Sequence, residues 1–519
     1  SSRLTLYWPA PKAAAVAALL GAIIYAALAG FSIPTQRALV MVAVIMGSIL
    51  LDRTSLPGRS IALALLLVLL LDPLSVLSVG FWLSFAAVSV ILYGMTGRIN
   101  NKSSMPVMAW HQWGKIQWLI LVGLLPLTLL FFQRVSVFAP VANLVAVPWV
   151  SFLVVPIVFL AVLLMGVQAK LAGWLLTLVD HLLNGLWWFL DELASLPFAL
   201  WVQPSPPVWI VVLGLLGAIV MLAPKGFPAR WLGAVLLLPV FLNMQKKPET
   251  GEVWFTLLDV GQGLAAVVQT REHTLVFDTG PRFSSSFDTG DAVVVPFLSQ
   301  MGIHKIDRLL ISHGDNDHIG GAQSILRQIP VDEIYTGVPE KFSKSEFEDT
   351  SGINAKQCTS NQSWNWDGVE FKILHPPETL HSFTKNDGSC VLHVQARGGS
   401  MLLTGDIHKK SEQHLVKYYP AEIKASILVA PHHGSKTSSS PEFIQTVNPQ
   451  YVLFPAGYRN RFNHPAENVV DRYKENGIQL LDSAAHGAIQ FRIGRTNESG
   501  GRVSAPETYR QIARHYWNR

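Results

Sequence analysis

Six consecutive residues, His313-Gly-Asp315-Asn-Asp317-His318, place two imidazoles and two carboxylates in one short segment. Groups of this kind repel one another or stay unsatisfied unless a cation sits among them, and a divalent metal resolves both problems. A lone His-x-Asp pattern reads as a solvated polar loop; four donors in this register read as metal ligands. The segment follows the apolar run Arg308–Ile311, and Gly320-Gly321 leads out of it into a helical stretch. The donors therefore sit in a strand-to-helix loop, where side chains can converge on a point. Further donors follow other apolar runs: Asp406 after Met401–Leu403, His432 and His433 after Ile427–Ala430, and His464 in Arg461-Phe-Asn-His464-Pro465. Loops along one edge of stacked sheets bring such groups together.

The elements that must carry these loops alternate. Short β-rich runs are expected at Val253–Leu258, Ala265–Gln269, Thr274–Phe277, Arg308–Ile311, Val369–Leu374, Val391–Gln395, Met401–Leu403, Ile427–Val429, Tyr451–Phe454 and Ala488–Phe491. Helical stretches are expected near Val293–Met301, Gly321–Gln328, Lys409–Tyr418, Pro441–Val447 and Ala466–Asn476. Strands alternating with helices across polar turns predict an α/β layered domain over residues 252–495. Lys341 to Gly368 reads as a polar loop or insertion, 244–251 as a linker, and 496–519 as a basic, aromatic tail. Cys358 and Cys390 either pair in an oxidising compartment or are bystanders.

The preceding 243 residues are of a different kind. They carry 12 Lys/Arg and 5 Asp/Glu, a net +7, while the remainder carries 28 and 30, a net −2. Charged residues make up only 14% of the 519-residue chain, which excludes one ordinary soluble globule, and two cysteines exclude a disulfide-rich scaffold. Apolar runs at 12–30, 38–51, 60–71, 77–94, 117–133, 140–166, 171–190, 207–223 and 231–243 predict a polytopic helical bundle, the longest runs being membrane spans. Asp72-Pro73 and a turn over Phe31–Arg37 are expected to interrupt it, with Arg37 and Asp72 either in loops or on a polar path. Leu171–Leu190, with Asp180, His181 and Asn184 among tryptophans, reads as an interfacial helix or as a channel wall. Lys225 and Arg230 favour a cytoplasmic loop, which delivers the second half to the opposite side, although Lys246 and Lys247 pull the other way. Ser1 reads as a cut end.

The string His313-Gly-Asp315-Asn-Asp317-His318 resembles the metal signature of metallo-β-lactamase-fold hydrolases, with Asp315 where a second His usually stands. Leu258-Asp-Val-Gly-Gln-Gly263, Phe277-Asp-Thr-Gly-Pro281, Thr404-Gly-Asp406 and Pro431-His-His-Gly-Ser-Lys-Thr437 are similar to the C-terminal domain of the ComEC family of DNA-uptake proteins. Gly30-Phe-Ser-Ile-Pro-Thr-Gln-Arg-Ala38 and Asp72-Pro73 with Gly80-Phe-Trp-Leu-Ser-Phe85 resemble that family's membrane region. The earlier helices and small OB-like domain of the family are not seen, so the chain reads as an N-terminally shortened member.

The resemblance implies a polytopic α-helical membrane domain followed by an αββα metallo-β-lactamase-fold domain. It implies two divalent ions, manganese or zinc, the first held by His313 and Asp315, the second by Asp317, His318 and His464, with Asp406 bridging. The third ligand of the first ion falls to Asn386, Asp387 or His432. His432 and His433 are ligands, phosphate contacts or proton donors, or one of them is structural. Asp259 and Asp278 either support the ligands or form turns, and Ser389, Ser435 and Lys436 are candidates for phosphate contact, Lys436 equally for a solvated loop. The implied role is passage of single-stranded DNA across the bacterial inner membrane, with the second domain outside the cytoplasm degrading the other strand by catalysis at Asp317, His432 and His433. Single- and double-stranded DNA, the bilayer and other uptake components are then partners. The alternatives are a transporter with a silent docking or gating domain, and a tethered metallohydrolase of another substrate.

Overall fold

A computed structural model describes residues 9–53, 56–95, 105–224, 226–243, 246–342, 355–378, 383, 385–494 and 503–513. The chain divides into two compact units, Ser1–Met244 and Gln245–Arg519. Of the positions read from the sequence, Ser1, Lys225 and, in the tail, 496–502 and 514–519 lie outside the described residues.

The first unit is helical. Four helices, Ala10–Leu28, Ile33–Leu50, Gln112–Phe132 and Ala139–Met165, are long and apolar enough to cross a bilayer, and shorter apolar helices span Pro57–Leu71, Val79–Met95, Val208–Leu222 and Leu232–Phe241. The expected turn is present but shorter, between Leu28 and Ile33 with Phe31 at φ 48°, and the next helix, Ile33–Leu50, already contains Arg37, because Pro34 is pre-set for a first helical turn. Arg37 is therefore no loop residue. It is 7% exposed and donates from Nη1 to Ser78 Oγ at 3.4 Å. Asp72 does break the apolar run, as the cap of a short 3-10 turn, Pro73–Leu77, accepting from Leu74 N and Ser75 Oγ. The helix Ala169–Ser195 carries Asp180, His181 and Asn184 on an exposed face, with Asn184 Nδ2 donating to Asp180 Oδ2 at 3.2 Å. A two-stranded ribbon joins β1 (Arg134–Ser136) to β2 (Leu200–Val202).

The second unit is two sheets with helices on both outer faces. Its strands are β3 (Val253–Leu257), β4 (Ala266–Gln269), β5 (Thr274–Phe277), β6 (Arg282–Ser284), β7 (Phe287–Asp288), β8 (Ile306–Ile311), β9 (Val331–Thr336) and β10 (Ala355–Gln357). Beyond these come β11 (Ser363–Trp366), β12 (Val369–His375), β13 (Val391–Ala396), β14 (Gly399–Leu403), β15 (Ile427–Val429), β16 (Tyr451–Phe454), β17 (Gln479–Asp482), β18 (Ile489–Ile493) and β19 (Glu507–Thr508). One sheet has the order β10-β9-β8-β5-β4-β3-β18-β19 and the other β11-β12-β13-β14-β15-β16-β17. Phe255, Phe277, Phe371, Leu392 and Phe491 fill the space between them, while helices cover the outer faces through Leu298 and Ile325 on one side and Phe443 and Tyr473 on the other. This is the expected αββα layering.

Strand β9 was not anticipated; its exposed Asp332 and half-buried Glu333 break the apolar run that marks its neighbours. The segment read as an irregular loop also contributes β10 and β11 to sheet edges, where alternating exposure replaces continuous burial. Cys358, just past β10, and Cys390, just before β13, are bonded to each other, so they are not bystanders.

Candidate metal centre

Parallel pairing decides where the ligands go. Strand β5 runs parallel to β8, and β14, β15 and β16 are mutually parallel, so their carboxyl ends open on one edge within each sheet. Asp278 follows β5, His313 to His318 follow β8, Asp406 follows β14, His433 follows β15, and His464 lies beyond β16.

Asp317, His318, Asp406 and His433 converge, each offering a donor atom within 4.8 Å of all the others. His318 Nε2 lies 3.1 Å from Asp406 Oδ1 and 3.3 Å from His433 Nε2. His433 Nε2 lies 3.3 Å from Asp317 Oδ2 and 3.5 Å from Asp406 Oδ2, and the Asp317–His318 separation is 4.0 Å. Nitrogen and oxygen ligands about 2.0–2.2 Å from a tetrahedral ion stand about 3.3 Å from one another, so this quartet has nearly the dimensions of a coordination shell. His318, Asp406 and His433 are buried, and Asp317 is partly open. Among the described residues, His313 Nε2 and His464 Nδ1 are buried without a hydrogen-bond partner, and Asp406 Oδ1 has only the charge contact with His318. Buried polar atoms are normally satisfied, and a cation supplies the missing partner. The donors therefore suit a divalent metal.

The electrostatics agree. Burial alone would raise the Asp317 carboxyl, but the adjoining His433 and His318 hold it at about 2. Burial opposes a charge on His433, yet Asp406 and Asp317 outweigh it and push the imidazole up to about 9. Against a similar burial penalty, His318 is held well above, and Asp406 well below, the ordinary range by their mutual attraction. Two carboxylates balanced by two protonated imidazoles carry the charge that one divalent ion would neutralise.

A surrounding layer fixes these ligands. Asp278 Oδ2 accepts from His318 Nδ1 at 2.7 Å and from Ser312 Oγ at 2.7 Å, while Oδ1 accepts from Ser312 N at 2.6 Å. His433 Nδ1 donates to Pro455 O at 2.8 Å. Each bond fixes the ring so that Nε2 points into the quartet. His432 and His433 adopt φ of 49° and 56°, a left-handed conformation uncommon for any side-chain-bearing residue. Gly263 explains its motif: at φ +145°, a Cβ there would lie 2.5 Å from Asp317 O. Leu264 N bonds that same carbonyl at 3.1 Å, so the Asp259–Gly263 turn is the floor beneath the ligand loop.

Other residues fall differently. His464, assigned as a ligand by resemblance, lies beside the quartet, its ring stacked on His433 with centroids 6.4 Å apart and 5.7 Å from that of His432. Its Nδ1 too is buried without a hydrogen-bond partner among the described residues; the fourth member of the quartet itself is His433. His313 and Asp315 approach each other at 3.5 Å beside the quartet, with the His313 ring 4.2 Å from that of His318. His432 Nε2 is 3.6 Å from Asp406 Oδ2. Asp387 is engaged elsewhere, Oδ1 accepting from His408 N and Ser411 Oγ, and Asn386 O accepts from Ser389 Oγ. Ser389 is fully buried, its Oγ accepting from the backbone N of Asp406 at 3.3 Å and donating to Asn386 O, so it ties the main chain that carries Asp406. Ser435 is likewise buried and pairs with Thr437 Oγ1 at 3.0 Å, whereas Lys436 is exposed. Asp259 accepts from Gly261 N and Arg510 Nη2 and so holds the turn beneath the ligand loop, and burial raises its pKa. His408 went unnoticed in the sequence: its Nε2 lies 3.1 Å from His432 Nδ1, and its place two residues beyond Asp406 was the available signal.

Comparison with known proteins covers both units. The competence protein family model matches residues 1–228, and the metallo-β-lactamase superfamily model matches residues 258–457. The chain is 36% identical over 98% of its length to competence protein ComA of Neisseria gonorrhoeae, covering 68% of that protein. It is 29% identical over 92% of its length to recombination protein 2 of Haemophilus influenzae and 26% identical over 92% to ComE operon protein 3 of Bacillus subtilis, covering 63% and 64% of those proteins. The chain thus spans about two thirds of the length of the curated relatives it matches. A multi-pass helical unit, an αββα unit with a His/Asp cluster at its sheet edge, and this identity across nearly the whole chain lead to one conclusion: it belongs to the ComEC/ComA family of competence proteins.

Proposed function

We propose that the chain acts in DNA uptake, its membrane unit passing single-stranded DNA across the bacterial inner membrane and its second unit hydrolysing phosphodiesters of the strand left behind. The observation that carries the hydrolytic half is the Asp317–His318–Asp406–His433 quartet. Its dimensions and charge favour a divalent ion, and the neighbouring His313, Asp315 and His432 favour a second ion sharing Asp406, manganese or zinc by donor type. A divalent ion there supplies Lewis-acid polarisation of a phosphoryl oxygen and acidifies a water toward neutral pH. The protein's own groups complete the site. Asp278, Ser312 and Pro455 aim the ligand rings, and Ser389 Oγ holds the backbone amide of Asp406. His432, partly exposed at the rim, has its Nδ1 engaged by His408 and Thr437 and its Nε2 turned toward Asp406, and burial holds its pKa down to about 4. It therefore fits a neutral ligand of that second ion and leaves protonation of the departing oxygen to solvent. The buried Cys358–Cys390 bond favours an oxidising compartment for this unit, hence the non-cytoplasmic face.

The test is hydrolysis of labelled single- and double-stranded DNA by the full chain in detergent, with manganese or zinc, beside Asp317→Ala and Asp406→Ala. Activity present in the native chain and abolished in both variants supports the reading. Inactivity with every metal replaces it with a silent docking or gating unit. Normal uptake of labelled DNA by cells lacking the protein would remove the transport half.

A further inference from the structure

Two exposed aromatic platforms lie close to the metal centre, one anchored to Asn316 within the ligand loop and the other stacked on His464 behind His433. The first is the β6–β7 hairpin. Phe283 and Phe287, 61% and 52% exposed, stack on one another with centroids 5.6 Å apart and planes at 26°. The hairpin is pinned to the ligand loop: Asn316, between Asp315 and Asp317, accepts from Arg282 N at 3.3 Å and donates to Arg282 O at 3.0 Å. Beside it lies a cleft of about 350 Å³ whose lining includes Arg282, Asn316, Gln323 and Lys341.

The second platform is the loop after β16, Gly457-Tyr-Arg-Asn-Arg-Phe-Asn-His464. Tyr458 and Phe462 are 71% and 50% exposed. Arg459 lies over the Tyr458 ring at 5.1 Å and Arg461 over the Phe462 ring at 4.7 Å. Phe462 stacks on His464 at 5.7 Å, and His464 stacks in turn on His433. The loop is held rigid around Asn460, whose Nδ2 donates to Gly457 O and His464 O and whose Oδ1 accepts from Phe462 N and His464 N. It contains two arginines and no acid, and neither arginine pairs with a carboxylate among the described residues.

Four large rings left in water on two braced loops are costly as surface, and nothing in the metal chemistry needs them. Rings at least half exposed, beside guanidinium groups that stack on them and have no carboxylate partner among the described residues, match a strand with splayed bases and a phosphate backbone. A duplex hides its base faces, so the match is to single strands. We propose that these platforms bind a single-stranded nucleic acid across the metal centre, bases stacking on Phe283/Phe287 and Tyr458/Phe462, with Arg459 and Arg461 meeting phosphates. This deepens the hydrolytic reading by naming how the substrate is gripped, and rests on that reading only for the cleavage of a strand already bound.

Binding of labelled oligothymidylate to the full chain in detergent, with EDTA present to stop cleavage, tests it. Replacing both Phe283 and Phe287, or both Tyr458 and Phe462, by Ala is expected to weaken binding about ten-fold or more. Rings restored as Phe283→Tyr with Phe287→Tyr recover it, which a folding defect would not. Arg459→Gln with Arg461→Gln lowers the salt dependence of binding by about 1.4 in log–log slope, two phosphates at about 0.7 each. Strands carrying 5-bromouracil are expected to photo-cross-link to peptides holding residues 283–287 or 458–462. Alanine variants that bind as the native chain does, or cross-links confined to other segments, overturn the proposal. Ring-dependent binding without hydrolysis sinks the nuclease reading alone; hydrolysis with ring-independent binding sinks this inference alone.

Discussion

Asp278 Oδ2 stands 2.7 Å from His318 Nδ1, with both side chains sealed from solvent. The carboxylate holds the Nδ1 proton and leaves Nε2 facing Asp406. Asp278→Asn keeps the shape but removes the charge that makes the ring a strong donor. Metal affinity, read by competition with a chromophoric chelator, is expected to fall about 10–100-fold. Unchanged affinity would mean the ring is oriented by packing alone.

Gly263→Ala tests the floor of the site. Its Cβ would lie 2.5 Å from Asp317 O and 2.9 Å from Pro281 Cδ at a backbone angle of φ +145°. Asp317 must then shift, so metal content measured by mass spectrometry should drop sharply. Gly30→Ala is a suitable contrast, since a Cβ at Gly30 meets nothing within 4 Å although its φ is also positive.

The protons on the quartet set a pH dependence. His433, pushed from 6.5 up to about 9, binds its proton more tightly when folded. Its contribution to stability is complete below pH 6.5 and is lost as pH rises through about 9. Asp317, held from 3.8 down to about 2, contributes fully above pH 3.8, and that is lost as pH falls through about 2. Without metal the second unit should be most stable from about pH 4 to 6.5. Metal must displace these protons, so the thermal shift between metal-loaded and EDTA-treated protein should grow with pH up to about 9. A shift that shrinks as pH rises would contradict the quartet.

The Cys358–Cys390 bond joins residues 32 apart in sequence. Closing a loop of that length restricts the unfolded chain by about 3–4 kcal/mol. Cys390 N donates to Ser312 O, and Ser312 is bound to Asp278, so the bridge reaches the ligand layer. Cys358→Ser with Cys390→Ser should lower the unfolding temperature of the second unit and loosen metal binding, read by calorimetry with and without a metal. Equal melting of both forms would show the bridge to be dispensable.

Much of this protein could be read in order along the chain. Continuous burial made β3, β5 and β15 plain as apolar runs, and the crowding of donors in His313–His318 announced a cation because such groups cannot otherwise share so short a segment. Apolar length alone marked the membrane helices, since a bilayer demands it locally. Elements at sheet edges, such as β10 and β11, carried no such pattern. What the tertiary structure decided was which distant groups meet. Nothing along the sequence distinguishes His433 from His464 as the fourth donor. The left-handed turn at His432-His433 and the parallel order of β14, β15 and β16 bring one to the quartet and leave the other stacked behind it. Cys358 and Cys390 became partners in the same way, because two sheets packed face to face set the distance between loops that the chain itself leaves free.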